Sequence, residues 1–202
     1  PYNLRELGFT GASINAVTRS GTNTFHGSGF YNTRNESFVG DRAGLDGKQD
    51  VVTTAFDVKQ FGASVGGPII KNKLFFFANY EGERRTDPGT QFVADRGTGS
   101  GGNVTRVKAT DLDALSKFVS ENFGFETGGY EDYSLITRSD KALLKFDWNI
   151  NEKHKLSVRG NILKSKRDVP ISGSGGFGNR NGNLLSMTYA NSNYEINNDI
   201  YS

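Results

Sequence analysis

The residues of this chain that could do chemistry form one short motif. The segment Gly62–Gly66 (GASVG) has the G-x-S-x-G spacing of a hydrolase nucleophile elbow, with His26 and His154 as nominal bases. Such an elbow needs a strand, a sharp turn and then a helix whose N-terminus holds the serine at the apex. Here a proline and a second strand-like segment follow, so no helix would support Ser64. We therefore expect that the protein is not an enzyme.

Other groups that bind metals or phosphates lack the required spacing. The glycine run over residues 97–102 is not followed by the Lys-Ser or Lys-Thr pair of a phosphate-binding loop. Two histidines at unrelated positions and no cysteine give no basis for a zinc or thiolate site. Four aspartates in the segment 34–58 favour a solvated acidic face, with a loop calcium site as the alternative: Asp41, Asp46, Asp50 and Asp57. We expect no cofactor.

Composition excludes several classes of partner. The net charge is +2, and no basic cluster alternates with aromatic residues, so nucleic-acid binding is not expected. No apolar run reaches the roughly 18 residues that a transmembrane helix requires. The mean hydropathy of −0.54 is typical of a soluble protein, but it also suits a barrel whose strands face lipid at every second residue. Because the chain begins at Pro1 without signal-peptide features, we expect a longer parent protein.

The elements that would position any site follow a regular rhythm of strand-like segments. Lys59–Gly67 and Leu74–Glu83 are joined by the short segment 68–73, and Lys141–Ile150 and Lys155–Ser165 by the segment 151–154. Three other connections are long, polar and rich in glycine: 34–58, 82–140 and 166–183. This asymmetry is typical of an outer-membrane barrel, which has tight periplasmic turns and long external loops.

Six spanning strands are predicted. They are Thr24–Thr33, the four segments just named, and a sixth that begins near Leu184 and continues through Met187 and Tyr189 towards Ile196. A ten-residue strand that rises ~3.3 Å per residue at a tilt of roughly 45° spans about 23 Å, which fits the apolar band of a barrel. Trp148 suits an interfacial aromatic girdle, and a core tryptophan in a soluble sandwich is the alternative.

One helix is predicted inside the longest loop. Thr110 and Asp113 form a capping pair, and Gly124 offers a stop. A stripe of apolar residues lies between them: Leu112, Leu115, Phe118 and Val119. Aromatic residues of the loops are candidates for contact with a substrate: Phe38, Tyr130, Tyr133 and Phe177.

Two blocks of the chain resemble a known family. Gly8–Ser28 (GFTGASINAVTRSGTNTFHGS) is similar to the plug-to-barrel junction of TonB-dependent outer-membrane receptors, in particular the Oar-like and SusC-like receptors of Bacteroidetes. Gln60–Gly82 (QFGASVGGPIIKNKLFFFANYEG) resembles the second and third barrel strands of the same receptors, with the first periplasmic turn between them.

This resemblance implies an all-β fold, a transmembrane antiparallel up-and-down β-barrel of 22 strands closed by a plug. About six of those strands would lie in this chain, with one short helix in an external loop. Residues 1–23 would be the C-terminal end of the plug, including its last strand Gly11–Thr18, and residues 24–202 the first barrel strands. The implied function is energy-coupled uptake of a large nutrient such as an oligosaccharide, a peptide or a chelate.

The resemblance also implies partners and a site. TonB would bind through a segment absent from this chain, outer-membrane lipid would surround the barrel, and a surface lipoprotein could assist. The junction that anchors the plug to the wall would comprise Arg19, Ser20, Gly21, Thr22 and Asn23. Arg19 would pair with Asp147 or Glu81, or else be a solvated turn residue. The small residues of Lys59–Gly67 would allow close approach by the plug.

Two other classes of protein remain as alternatives. A secreted all-β module that binds carbohydrate or mediates adhesion would also have long loops on a sheet. A passive porin would share the barrel, but it gives no reason for the plug-like strand before Thr24.

Overall fold

The structure is a computed structural model and describes residues 18–40, 42–43, 49–50, 55–97, 103–171 and 187–202. Ten strands occur in these ranges: β1 (His26–Asn35), β2 (Arg42–Ala43), β3 (Gln49–Asp50), β4 (Asp57–Ile70), β5 (Leu74–Pro88), β6 (Val93–Asp95), β7 (Val104–Lys108), β8 (Ser134–Asn149), β9 (Lys155–Val169) and β10 (Tyr194–Tyr201). The helix α1 spans Ala109–Phe123, and short 3-10 helices span Glu36–Phe38 and Ala190–Ser192. The predicted plug strand lies outside the described residues except for Thr18.

Six long strands form one antiparallel sheet in the order β1-β4-β5-β8-β9-β10. Each of these strands therefore pairs with the next long strand along the chain, as an up-and-down barrel requires. The turns at residues 71–73 and 150–154 lie at one end, which we call the short-turn end, and the other connections lie at the long-loop end. The predicted rhythm is confirmed, and β1 and β10 are the open edges of the sheet.

Several predicted boundaries are wrong at the long-loop end; β9, for example, continues to Val169 rather than ending at Ser165. Pairing of β5 with β8 continues to Pro88 opposite Ser134, so residues 82–88 and 134–140 are strand rather than loop. The predicted start of the sixth strand near Leu184 lies outside the described residues. The strand begins at Tyr194, and Met187 and Tyr189 pack instead against the core that includes Leu112 of α1. Their apolar alternation reflects contact with a helix and not with lipid.

The two faces of the large sheet differ in chemistry. One face, the apolar face, carries the predicted alternating residues of β8, which are solvent-exposed in this structure: Leu144 is 47% exposed, Phe146 37% and Trp148 42%. The other face, the polar face, carries Lys145 and Asp147 on the same strand. Because a soluble sandwich would bury such a row, the alternative of a core tryptophan at position 148 is wrong, and the apolar face suits lipid.

A small external layer covers the long-loop end. The parallel pair β6–β7 and α1 enclose the buried Ala94, Ala109 and Leu112. Lys108 precedes α1 without a side-chain cap, so the predicted capping pair is wrong, and Asp113 instead accepts a hydrogen bond from Tyr130. Gly124 ends the helix in the left-handed region at φ 62°, as predicted. None of the helices in the described ranges has the length and apolarity to cross a membrane.

Candidate functional site

The candidate site is the junction segment, residues 18–24, which runs along the polar face before β1 begins. Ser20 lies beside β8, where its Oγ accepts a hydrogen bond from Lys145 Nζ at 2.7 Å. Gly21 lies so close to the wall that an added Cβ would be 2.7 Å from the carbonyl oxygen of Gly67. Only glycine fits at position 21, because any side chain would collide with the backbone of β4 and β5.

The small residues of β4 form the surface that the junction segment approaches. A Cβ on Gly66 would be 3.6 Å from Gly21 Cα, and Ser64 Oγ lies 2.8 Å from Ser28 Oγ. A cavity of about 260 Å³ remains between segment and wall, lined among others by Arg19, His26 and Phe77. The expectation that small side chains on this face allow close approach therefore holds for the junction segment.

Lys145 and Asp147 form the charged part of the wall behind the junction. Lys145 Nζ lies 3.5 Å from Asp147 Oδ2, and the two side chains are only 13% and 25% exposed. Of the two expectations for Arg19, an ion pair with Asp147 or Glu81 is not formed, and its exposed side chain fits the alternative of a solvated turn residue. Ser20 rather than Arg19 contacts β8. The cation that lies beside Asp147 is therefore Lys145 and not Arg19.

The short-turn end holds the other side of the junction through asparagine amides. Asn23 Nδ2 donates to Asn72 Oδ1 at 2.5 Å, and Asn23 Oδ1 accepts from the backbone N–H of Asn72 at 2.7 Å. Asn72 has φ 62°, a conformation that asparagine adopts in tight turns. Asn149 Nδ2 in turn donates to the Asn72 carbonyl at 3.3 Å. The junction segment is thus held at both Ser20 and Asn23.

Sequence reasoning selected Asn23 but missed its partners. The turn residue Asn72 could have been noticed as a left-handed position between two lysines. Lys145 gives no such local signal, since its contact with Ser20 joins residues 125 positions apart.

The residues of the hydrolase-like motif make no hydrogen bond with one another, although Ser64 and His26 both line the cavity beside the junction segment. Ser64 lies in the middle of β4 and its hydroxyl bonds Ser28, whereas His26 Nε2 contacts Thr24 Oγ1 at 2.7 Å. His154 lies in the turn between β8 and β9. Within the part of the chain that the structure describes, no three His, Cys, Asp or Glu side chains converge as metal ligands.

In the external layer, the carboxylate of Glu131 joins two segments by hydrogen bonds. Glu131 accepts hydrogen bonds from Arg96 at 3.0 and 2.7 Å and from the Ala94 N–H. The Arg96 hydrogen bonds, and then the Ala94 N–H, hold the pKa of Glu131 below its ordinary value. Burial and the hydrogen bond to Asp113 raise the pKa of the Tyr130 phenol. Both residues stabilise the loop layer.

The four aromatic residues proposed as substrate contacts differ in their surroundings. Tyr130 and Tyr133 point into the layer, where Tyr133 Oη lies 2.9 Å from Thr188 Oγ1. Phe38 is 69% exposed and stays available for contact, and Phe177 lies outside the described residues.

Comparison with known proteins identifies the sheet. Residues 17–99 match the family described as an outer membrane beta barrel domain. The sheet is a section of an outer-membrane β-barrel. The TonB-dependent transporter Oar of Myxococcus xanthus is 46% identical to this chain over 74 residues, which are 35% of this chain. The match spans 7% of the length of that curated relative. No solved structure matches the chain.

The barrel section has recognisable membrane boundaries. Trp148 lies on the apolar face at the short-turn end, and aromatic rings end the apolar face towards the long loops: Tyr31, Phe61, Tyr80 and Tyr201. Such rings at both ends of the lipid-facing band are typical of outer-membrane barrels. The short-turn end then faces the periplasm and the loop layer faces the outside. The junction segment lies on the face that lines the lumen.

Proposed function

We propose that the chain is part of a TonB-dependent transporter that takes up a large nutrient across the outer membrane. The observation that carries this proposal is the 46% identity over 74 residues to a TonB-dependent transporter. A passive porin explains the barrel but gives no role to a glycine-containing segment fitted against the lumen wall. A secreted adhesion module does not fit an outer-membrane barrel.

In the proposed transporter, residues 1–23 end the plug and residues 24–202 begin the barrel. The contacts of Ser20 with Lys145 and of Asn23 with Asn72 support a junction that stays fixed on the wall. Force applied by TonB to a segment outside this chain would move upstream parts of the plug about this fixed point. The nutrient would pass through the lumen, and the residues described here would bind and position without catalysing a reaction.

The substrate class and the accessory partner are proposed from the resemblance of the two sequence blocks to TonB-dependent receptors. The substrate is an oligosaccharide, a peptide or a chelate, and a surface lipoprotein assists the external loops. The Bacteroidetes type of receptor is also part of this proposal and rests on the resemblance alone, because the relative reported above comes from Myxococcus.

Uptake by cells tests the proposal. We would follow three labelled pools, maltodextrins, casein peptides and a ferric siderophore, in the parent strain and in strains that lack the gene or TonB. We expect uptake of one pool to be lost in both deletion strains and after collapse of the proton gradient. Uptake that requires the gene but persists without TonB would replace the proposal with a passive channel.

A further inference from the structure

Four basic residues lie in register across four neighbouring strands on the apolar face. Lys59 of β4 is directly opposite Arg84 of β5, Arg84 is opposite Arg138 of β8, and Arg138 is opposite Lys166 of β9. We call these four residues the cation row. Like charges directly opposite one another destabilise a sheet unless anions neutralise them. The row therefore requires neutralising groups.

The cation row lies just beyond the lipid-facing band, towards the long loops. Lys59 is two residues from the aromatic boundary at Phe61, and Arg84 is four residues from the boundary at Tyr80. Since two residues of a strand rise roughly 7 Å, the row lies at the depth of lipid headgroups. The long loops of outer-membrane barrels are external, so these headgroups belong to the outer leaflet.

Three members of the row have a carboxylate partner from the protein. Lys59 pairs with Asp57 at 2.9 Å, Arg84 with Asp140 at 2.8 Å, and Lys166 with Glu195 at 2.5 Å. Arg138, between Arg84 and Lys166, is exposed and has no ion pair or side-chain hydrogen bond with any described residue. One guanidinium at the centre of the row thus lacks an anion.

The two carboxylates that line the depression beside Arg138 accept hydrogen bonds from other groups. A depression of about 280 Å³ is lined by Ile136, Arg138, Lys166, Asp168 and Glu195. Asp168 Oδ2 accepts the backbone N–H of Ile136 at 2.8 Å, and Glu195 accepts from Lys166 and from Asn197 Nδ2. The guanidinium of Arg138 is thus the charged group of this depression that makes neither an ion pair nor a side-chain hydrogen bond with a described residue.

We propose that Arg138, flanked by Arg84 and Lys166, binds a phosphate group on the headgroup of an outer-leaflet lipid. A guanidinium offers two parallel N–H donors that match two phosphate oxygens. A lipid suits the place better than a free anion, because exposed apolar side chains, Leu144 and Ile162, lie on the same face beyond the intervening Asp140–Lys164 pair and would contact its acyl chains. This proposal holds whether or not transport depends on TonB.

Lipid binding by the full-length protein tests the proposal. Diphosphoryl lipid A and its dephosphorylated form would be titrated into detergent-solubilised wild type, Arg138→Gln and Arg167→Gln. Arg167 is the matched control, since it is exposed one residue from Lys166 but lies on the lumen face opposite Thr137. A heat-modifiable band in gel electrophoresis would show that each variant is folded.

We expect Arg138→Gln to bind diphosphoryl lipid A about fivefold more weakly, while Arg167→Gln stays at the wild-type value. Binding of the dephosphorylated lipid should be the same in all three proteins. Equal affinity of Arg138→Gln and wild type for diphosphoryl lipid A would overturn the proposal. Displacement of the lipid by millimolar inorganic phosphate would overturn it in favour of a free-anion site.

Discussion

Phe61 of β4 lies directly across from Gly82 of β5, and its ring fills the space that a side chain at position 82 would take. A Cβ on Gly82 would be 2.5 Å from Phe61 Cζ. The same arrangement joins Phe30 to Gly62, where the shortest distance is 2.6 Å. Aromatic rings that cover glycines on a neighbouring strand fix the register of a sheet.

Gly82→Ala should therefore destabilise the barrel. The added methyl group overlaps the Phe61 ring, and such overpacking costs about 1–3 kcal/mol. Urea unfolding of the full-length protein, with its midpoint compared to wild type, measures this loss. Gly160→Ala is the matched control, because nothing lies within 4 Å of a Cβ at position 160. Similar midpoints for both variants would show that the ring moves aside freely.

Lys145→Ala should release the junction segment from the wall. The substitution removes the donor to Ser20 and leaves the mostly buried Asp147 without its cation, which costs about 3 kcal/mol in comparable pairs. Hydrogen exchange should accelerate at residues 18–22. Lys141→Ala, on the same face but exposed, should leave exchange there unchanged. Unchanged exchange in Lys145→Ala would mean that Asn23 alone holds the segment.

A covalent link between positions 20 and 145 should leave transport intact. Ser20→Cys and Lys145→Cys can be joined by a short, reducible crosslinker, since the chain contributes no native cysteine. If the junction stays fixed during transport, uptake by the linked protein equals that of the reduced protein. A loss of uptake that reduction restores would place the moving part of the plug at the junction itself.

The loop layer should lose stability in acid through Glu131. Its folded pKa lies below the ordinary value of 4.5, so the stabilisation by Arg96 is complete above pH 4.5 and is lost as the pH falls through the folded pKa. Hydrogen exchange of α1, corrected for intrinsic rates, should report this loss. Glu131→Gln should remove the pH dependence, whereas Glu121→Gln, at an exposed site, should keep it.

The parts of the fold that the sequence predicts are those imposed by lipid. Every second side chain of β8 from Ala142 to Trp148 is apolar because this face contacts lipid, and this period is visible without coordinates. Met187 and Tyr189 misled the prediction because packing on a helix produced a similar local pattern. An alternating apolar pattern predicts that one set of side chains is removed from water, but it does not distinguish lipid from a packed helix.

The contacts that define the candidate site depend on register between distant strands. Residues 20 to 23 were selected by resemblance, but Lys145 and Asn72 are brought to them only by pairing of β4, β5 and β8. The cation row is equally hidden, since its members are far apart in sequence and align only in the sheet.

The external layer draws on two loops that are separate in sequence. Tyr189 donates its hydroxyl to the Leu112 carbonyl, and Asn191 Nδ2 donates to the Glu126 carbonyl, so the segment before β10 is built into the loop between β5 and β8. An engineer who wishes to graft the external surface onto another barrel must therefore transfer both loops together. If only the loop between β5 and β8 were exchanged, its core would lose the packing of Met187 and Tyr189.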